Sequence, residues 1–576
     1  MAWMGNRLTI PALAAVGTGS ISRRLFVQGI GGGALALAGS KRRAFPAPGA
    51  ARAGLSGTEF DLEVGELPVN FTGRPRLATA VNGQVPAPLL RWREGDLIRV
   101  RVRNRLAVPT SIHWHGLLVP AAMDGVPGVS FDGIKAGATF SYEFRARQSG
   151  TYWYHSHSRF QEQIGLYGPI IIEPTGGERH TTERDYVVLL SDWTDEDPEH
   201  IYATLKRDSE YFNFAQRTVG DFFAAARRQG VRAALAERRM WGEARMDPTD
   251  LVDVSGYAYT YLMNGVAPAG NWNGEFQPGE RVKLRFINGS AMSFFDVRIP
   301  GLAMTVVAAD GQDVEAVTVE ELRIGAGEVF DVIVQPGQDE AYTIFAQSLD
   351  RSGYARGTLA PRAGMRATIP AMDPRPQLSM ADMGMGMGMG TGMGVDMASM
   401  QALAPQEKNP GVDMRVSTPD TRLDDPGVGL RNNGRRVLTY ADLHSIGGSL
   451  DARPPEREIE LHLTGHMQRF MWSFDGRKFS EAQPLEFRQG ERLRIVLVND
   501  SMMTHPIHLH GMWSEIDSPA GTFQVRKHTV VVRPAQKLSY CVSAMTAGHW
   551  AFHCHLLYHM EAGMFREVTV APALRS

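Results

Sequence analysis

Cysteine is nearly absent from this chain: among 576 residues only Cys541 and Cys554 occur. At most one disulfide can form, so this is no disulfide-stapled scaffold. An excess of charge of either sign is also missing, with 60 Lys and Arg against 62 Asp and Glu and a formal net charge of -2. That balance excludes the strong basic excess of a nucleic-acid binder. Long hydrophobic runs are lacking as well. The apolar stretch GIGGGALALAG near the start is too short and too rich in glycine to span a bilayer. What remains, 43% hydrophobic and 21% charged residues, is the composition of a soluble globular protein. The length suggests three or four domains.

The first 54 residues read as an address. Paired Arg23 and Arg24 in SRRLFVQGI precede the apolar stretch, Lys41, Arg42 and Arg43 follow it, and Ala51-Arg52-Ala53 offers a small-residue cleavage site. This pattern resembles a twin-arginine export signal. It predicts a periplasmic protein handed, already folded, to the twin-arginine export machinery, a route suited to a protein that acquires its cofactor first.

Internal repetition organises the rest. EGDLIRVRVRN (94–104), PGERVKLRFIN (278–288) and QGERLRIVLVN (489–499) are one phrase: a Gly turn, an alternating strand, then Asn. Such strands, bounded by Gly, Pro and Asn, predict half-buried strands of sandwiches or barrels. A second repeat aligns TYWYHSHS (151–158), AYTIFAQS (341–348) and HWAFHCHL (549–556). Histidines arm copies one and three. Copy two holds Val297, Ile299, Phe345 and Gln347 at the matching places and reads as a spacer. Residues 196–250 have helical composition and predict an insertion at the start of the second unit, and residues 371–430 dissolve into a Met-, Pro- and Gly-rich linker, predicted to be disordered without a ligand.

Ten of the 17 histidines fall in four short windows: His113 and His115; His155 and His157; His505, His508 and His510; His553, His555 and His559. Chance supplies roughly one His-x-His pair at this frequency, against the four seen. In a strand each such pair shares one face, so eight imidazoles from copies one and three can converge, enough for several metal ions. His505 has the opposite parity to His508 and His510, as Cys554 has to His553 and His555. His505 and Cys554 therefore predict a second site behind the first, completed by His559 and Met564 beyond a bend at Gly563. Two His, one Cys and a weak axial Met form a blue-copper electron-transfer set. Cys541, read as a buried thiol, stays out of it, since pairing would remove the thiolate that a metal needs.

The windows HWHG, YHSH, HPIHLHG and HCHLLYHMEAGM, in this order, resemble the four copper-binding signatures of multicopper oxidases over roughly residues 55–576. TSIHWHG, MDGVPGVSF, YLMNG, RFINGSAMSFFDVRIPG and MEAGMFREV, with the leader and the Met-rich segment, most resemble the bacterial copper-resistance protein A family. The resemblance implies an all-β chain of three cupredoxin-like domains: 55–180, 181–370 with the helical insertion and no ligands, and 431–576 with the type 1 copper. A linker, 371–430, joins the last two. It also implies four copper ions: type 1 held by His505, Cys554, His559 and Met564; type 2 by His113 and His508; and a type 3 pair by His115, His155, His157, His510, His553 and His555. The implied reaction is oxidation of Cu(I) with four-electron reduction of O₂ to water, contributing to copper resistance.

Oxygen reduction consumes protons, and two acids are candidates to supply them. Asp124 in MDGVPG matches an acid near the cluster in similar oxidases, and it also reads as a turn former before Gly125. Glu561 stands one place later than the acid of some relatives. Nine of the 27 methionines lie between residues 372 and 400. Thioethers suit Cu(I), so Met383, Met385, Met387 and Met389 are candidates to collect it. Asp500, Met502 and Met503 read equally as its docking point or as core beside the site. A laccase-like oxidase of phenols or aromatic amines and a copper-sequestering protein are the alternatives. Because the cluster falls between the first and third domains of one chain, a monomer suffices.

Overall fold

The computed structural model describes residues 54–384, 409 and 411–573. The expected leader up to residue 53, and Met385, Met387 and Met389, lie outside them. The strands form six sheets that fall into three pairs along the chain. A four-stranded sheet containing Glu59–Val69 and Leu97–Asn104 accompanies a five-stranded one containing Gly150–His155 and His113–His115. The second and third pairs each combine six strands with five. The chain is all-β and cupredoxin-like, with few helices.

The repeated phrase is the centre of each copy. Its strands are Leu97–Asn104, Val282–Asn288 and Arg492–Asn499, each entered through a glycine of positive φ: Gly95 at 90°, Gly279 at 92° and Gly490 at 85°. That conformation is open to glycine without steric penalty. Each strand pairs in parallel with one earlier in its own copy. The closing asparagine does the same work three times. Asn104 donates to the carbonyls of Val108 and Ile134 and accepts from Leu106 N; Asn288 donates to Ser293 and Ile324 and accepts from Ser290 N. Asn499 donates to Met503 and Val532 and accepts from Ser501 N. A buried side chain with two donors and an acceptor thus clamps the loop that follows to a neighbouring segment, a strand in the second and third copies.

The expected alternation holds in Leu97–Asn104, where exposed and buried residues alternate, but Val282–Asn288 is buried throughout. Its charged face is covered by carboxylates from neighbouring segments: Arg285 pairs with Glu178, Asp185 and Asp331, and Lys283 with Glu178. At the spacer positions Val297, Ile299 and Phe345 are buried apolar groups, while Gln347 donates to Asp373.

Three helices make up the insertion: Pro198–Arg207, Val219–Gln229 and Val231–Ala244. Asp197 caps the first, and Thr218 with Asp221 forms a capping box on the second. No helix among the described residues is long and apolar enough to cross a membrane. The described residues of the linker, 371–384, 409 and 411–430, differ from the expectation of disorder. They pack onto the body, with Leu378 and Met383 buried, Asp373 paired with Arg298 and Arg435, and Asp425 with Arg431 and Arg533. Anchors spaced this closely offset the chain entropy that composition alone suggested would win.

Replacing Asn288 by Leu removes the clamp in the copy without histidine ligands. Two buried carbonyls and one N–H lose their partner, at about 1–3 kcal/mol each. The denaturant midpoint is expected to fall by the equivalent of about 3 kcal/mol; a loss well under 1 kcal/mol would refute the clamp.

Candidate metal centre

Strand register builds two sites from the histidine windows. Strand His113–His115 pairs antiparallel with Gly150–His155, setting His113 opposite His155. Strand His505–Leu509 pairs with Gly548–Cys554, setting His508 opposite His553 and Ile507 opposite Cys554. Opposed residues share a face, so His508 and His553 project together. Cys554, Ile507 and His505 project the other way.

Eight imidazoles meet on the first face. His115, His155 and His555 form one trio, with ring centroids 5.6, 5.1 and 4.8 Å apart. His157, His510 and His553 form a second, at 5.2, 5.0 and 5.2 Å. His113 and His508, 5.7 Å apart, remain, His113 stacked on His510 and His508 on His115. All are buried except half-buried His157. Burial first, then the neighbouring imidazoles, holds His115, His155, His157, His508, His510 and His555 well below the ordinary pKa. Burial brings His553 to about 4. These rings are neutral, as metal ligands must be.

Their outer nitrogens are engaged by protein. Nδ1 of His113 lies 2.8 Å from the Asp124 carbonyl, and Nδ1 of His510 lies 2.8 Å from Asp124 Oδ2. Nδ1 of His155 lies 2.7 Å from Glu162 Oε2, that of His508 2.6 Å from the His528 carbonyl, and that of His553 2.9 Å from the Cys554 carbonyl. Such partners fix the tautomer and aim the other nitrogen. Nε2 of His113, His155, His157 and His508, Nδ1 of His115 and both nitrogens of His555 are buried without a hydrogen-bond partner. Unmatched polar atoms at this density cost about 1–3 kcal/mol each unless an ion takes their lone pairs. The donor set fits copper or another imidazole-seeking metal.

On the opposite face Cys554 Sγ lies 3.5 Å from His505 Nδ1 and 3.8 Å from His559 Nδ1, and these two nitrogens are 3.2 Å apart. Donors bonded to one ion at about 2.0 Å through N and 2.3 Å through S sit at such separations in a triangle. Met564 is buried, and its N–H donates to the His559 carbonyl across the bend at Gly563, φ 126°. Trp472 stacks on His559 at 4.0 Å. Burial pushes the Cys554 thiol far above its ordinary pKa, so a bound cation is needed to ionise it.

Three multicopper oxidase family models match residues 63–177, 184–364 and 452–573. The chain belongs to the multicopper oxidases. As a multicopper oxidase it is a copper-using oxidoreductase. It is similar to Copper resistance protein A of Pseudomonas syringae pv. tomato, 55% identical over 95% of this chain and 99% of that one. The like-named Escherichia coli protein is 54% identical over 90% and 93%. Among solved structures it resembles Fet3p, a multicopper oxidase that functions in iron import, with a TM-score of 0.64 and 18% identity over 90% of each chain. That likeness concerns the fold.

Other sequence candidates of this multicopper oxidase fall elsewhere. Glu561 pairs with Arg159, and its carbonyl accepts from Tyr202, so it faces the helical insertion. Asp500 is buried and occupied by His462 Nδ1 at 2.7 Å and Val416 N at 3.0 Å; Met502 and Met503 are buried beside it. They are core, which weighs against an open docking point. Met383, 1% exposed, is core as well. Sequence reading missed Glu162, His528 and Asp253, whose Oδ2 lies 2.6 Å from His559 Nε2. Asp253 comes from the ligand-free copy, where nothing local marks it. An acid in the QEQ turn soon after His157 was the available signal for Glu162.

The depressed histidines make the metal-free protein acid-sensitive. Their folded pKa lies below the ordinary 6.5, with His553 at about 4, so the unfolded chain binds more protons between these values. Stability is therefore present above pH 6.5 and lost as pH falls through 4. The melting temperature of metal-free protein should drop across that window, and less steeply in His555→Gln. Equal slopes would contradict neutral burial.

Proposed function

We propose that this multicopper oxidase oxidises Cu(I) to Cu(II) and passes the electrons to O₂, with four coppers held as the resemblance implies. His505, Cys554, His559 and Met564 would hold the type 1 ion. His113 and His508 would hold type 2, and His115, His155, His157, His510, His553 and His555 the type 3 pair. The observation that carries this reading is Cys554, a donor of the second site flanked in the chain by two imidazoles of the first. Copper bound there would supply one-electron transfer from the substrate and four-electron reduction of O₂ to two waters.

The residues do the rest. Cys554 joins the sites through its own peptide bonds. Asp253 accepts from His559 Nε2–H and holds that ring toward the thiolate. Asp124 touches His510 through Oδ2 and lies 3.4 Å from His113 Nδ1 through Oδ1, so its carboxyl group borders the cluster where O₂ reduction would consume protons. The similarity to copper resistance protein A and the density of methionines before residue 400 support Cu(I) as substrate. We place its action in the periplasm, after twin-arginine export, as a monomer. The boundaries 55–180, 181–370 and 431–576 remain our proposed domain division.

Anaerobic mixing of the copper-loaded protein with Cu(I), followed by O₂, tests the reading. Bleaching of the blue band and then uptake of one O₂ per four Cu(I) is expected; bleaching by phenols alone would favour a laccase-like oxidase. Cys554→Ser should lose the blue band and cut Cu(I) oxidation by more than the roughly 100-fold that loss of an outer-shell partner costs. Asp124→Asn should keep the blue band and slow O₂ reduction by about 10²-fold or more, the range for a lost general acid. Unchanged O₂ kinetics would remove Asp124 from the proton path.

A further inference from the structure

A ninth histidine touches the cluster. His528 lies between strands Phe523–Lys527 and Thr529–Val532 and is buried. Its Nδ1 lies 3.2 Å from His115 Nε2, and Thr529 Oγ1 lies 3.1 Å from that same nitrogen. His115 is thereby inverted relative to its neighbours. His113, His155 and His508 have Nδ1 occupied by protein and Nε2 free; His115 has Nε2 occupied and Nδ1 free.

His528 is itself tightly held. Asp310 Oδ2 accepts from the main-chain N–H groups of both His528 and Thr529, each at 3.0 Å. Lys527 Nζ, fully buried, sits 3.1 Å from Asp310 and 3.0 Å from Glu328, which in turn accepts from Tyr440 OH at 2.9 Å. Against the other side of the imidazole lies Gly116, φ 81°, where a Cβ would come within 2.3 Å of His528 Cδ2. The slot admits the ring because residue 116 has no side chain. Asp310 belongs to the ligand-free copy, His528 to the last and His115 to the first, so one network spans all three. Its charge is arranged for permanence. Buried Lys527 is flanked by two carboxylates, and removal of the lysine would leave both without their cation.

We propose that His528 is a positioning residue: its Nδ1 accepts the Nε2 proton of His115, so that His115 presents Nδ1 to copper. Asp310 holds His528 in place, and the Lys527–Glu328 pair holds Asp310. The inference rests on His115 being a copper ligand, as proposed above. Copper content tests that assignment separately, with the blue band as the control that the Cys554 site is filled.

The decisive comparison is among His528→Ala, His528→Asn and His528→Gln in the full-length, copper-loaded protein. The short Asn side chain can bring its carbonyl oxygen to the place of Nδ1; that of Gln reaches toward the place of Nε2. The expected result is a normal blue band in all three. In the Ala and Gln variants the magnetically coupled copper pair should lose its near-ultraviolet absorption and become visible by electron paramagnetic resonance, with O₂ reduction slowed by about 10–100-fold. Asn should restore coupling. Wild-type coupling in the Ala variant would overturn the proposal. So would equal behaviour of Asn and Gln, which is what a merely space-filling or structural histidine would give. If the Ala variant fails to fold, the Asn and Gln pair still decides.

Discussion

Eight imidazoles gathered in a buried cluster, several of them with a nitrogen that meets no protein partner, constrain everything around them. A buried nitrogen seeks a partner, and an unsatisfied one costs folding energy. The fold meets this by giving most of the rings a partner on the outward nitrogen: a carbonyl for His113, His508 and His553, a carboxylate for His155 and His510. Several inward nitrogens are then left without a protein partner, as a metal site would need them. Burial keeps the rings neutral, and their mutual proximity reinforces it.

The second site obeys the same logic with opposite strand parity. One strand, Gly548–Cys554, carries His553 to one face and Cys554 to the other, so separation of the sites costs no extra chain. The ligand-free copy is far from idle. It sends Asp253 to His559 and Asp310 to the main chain of His528 and Thr529, supplying acids to both sites without owning a ligand.

Much of this was legible in the sequence because it depends on period-two geometry. His508 and Cys554 declare their faces by position, and the register of Ile507 with Cys554 follows from that parity. The three copies of one phrase marked the sandwiches for the same reason. What could not be read were contacts made between distant segments. Glu162, Asp253 and His528 acquire meaning through rings brought to them by folding. For Asp500 and Met503 the sequence left a docking point and core equally open; both are buried, and His462 lies against Asp500. Residues 371–384 read as loose from composition, although Asp373 and Leu378 anchor them through partners in the second copy and its insertion.

The asparagine clamp has a bearing on how such a chain can change. In both armed copies the clamp stands nine residues ahead of the first cluster histidine of its window, at Asn104 before His113 and Asn499 before His508. It pins the intervening loop to a neighbouring segment at a fixed arc length. Side chains in that loop differ between the copies, Ser501 and Met502 standing where Leu106 and Ala107 do, and Ser501 Oγ lies 2.7 Å from His505 Nε2. Its length is not free: one inserted residue would arrive at the strand out of phase and exchange the two faces, handing a cluster nitrogen to the thiolate site. A change of length in these nine residues therefore acts on the choice of face, whereas a change of side chain acts only on the contact that side chain makes.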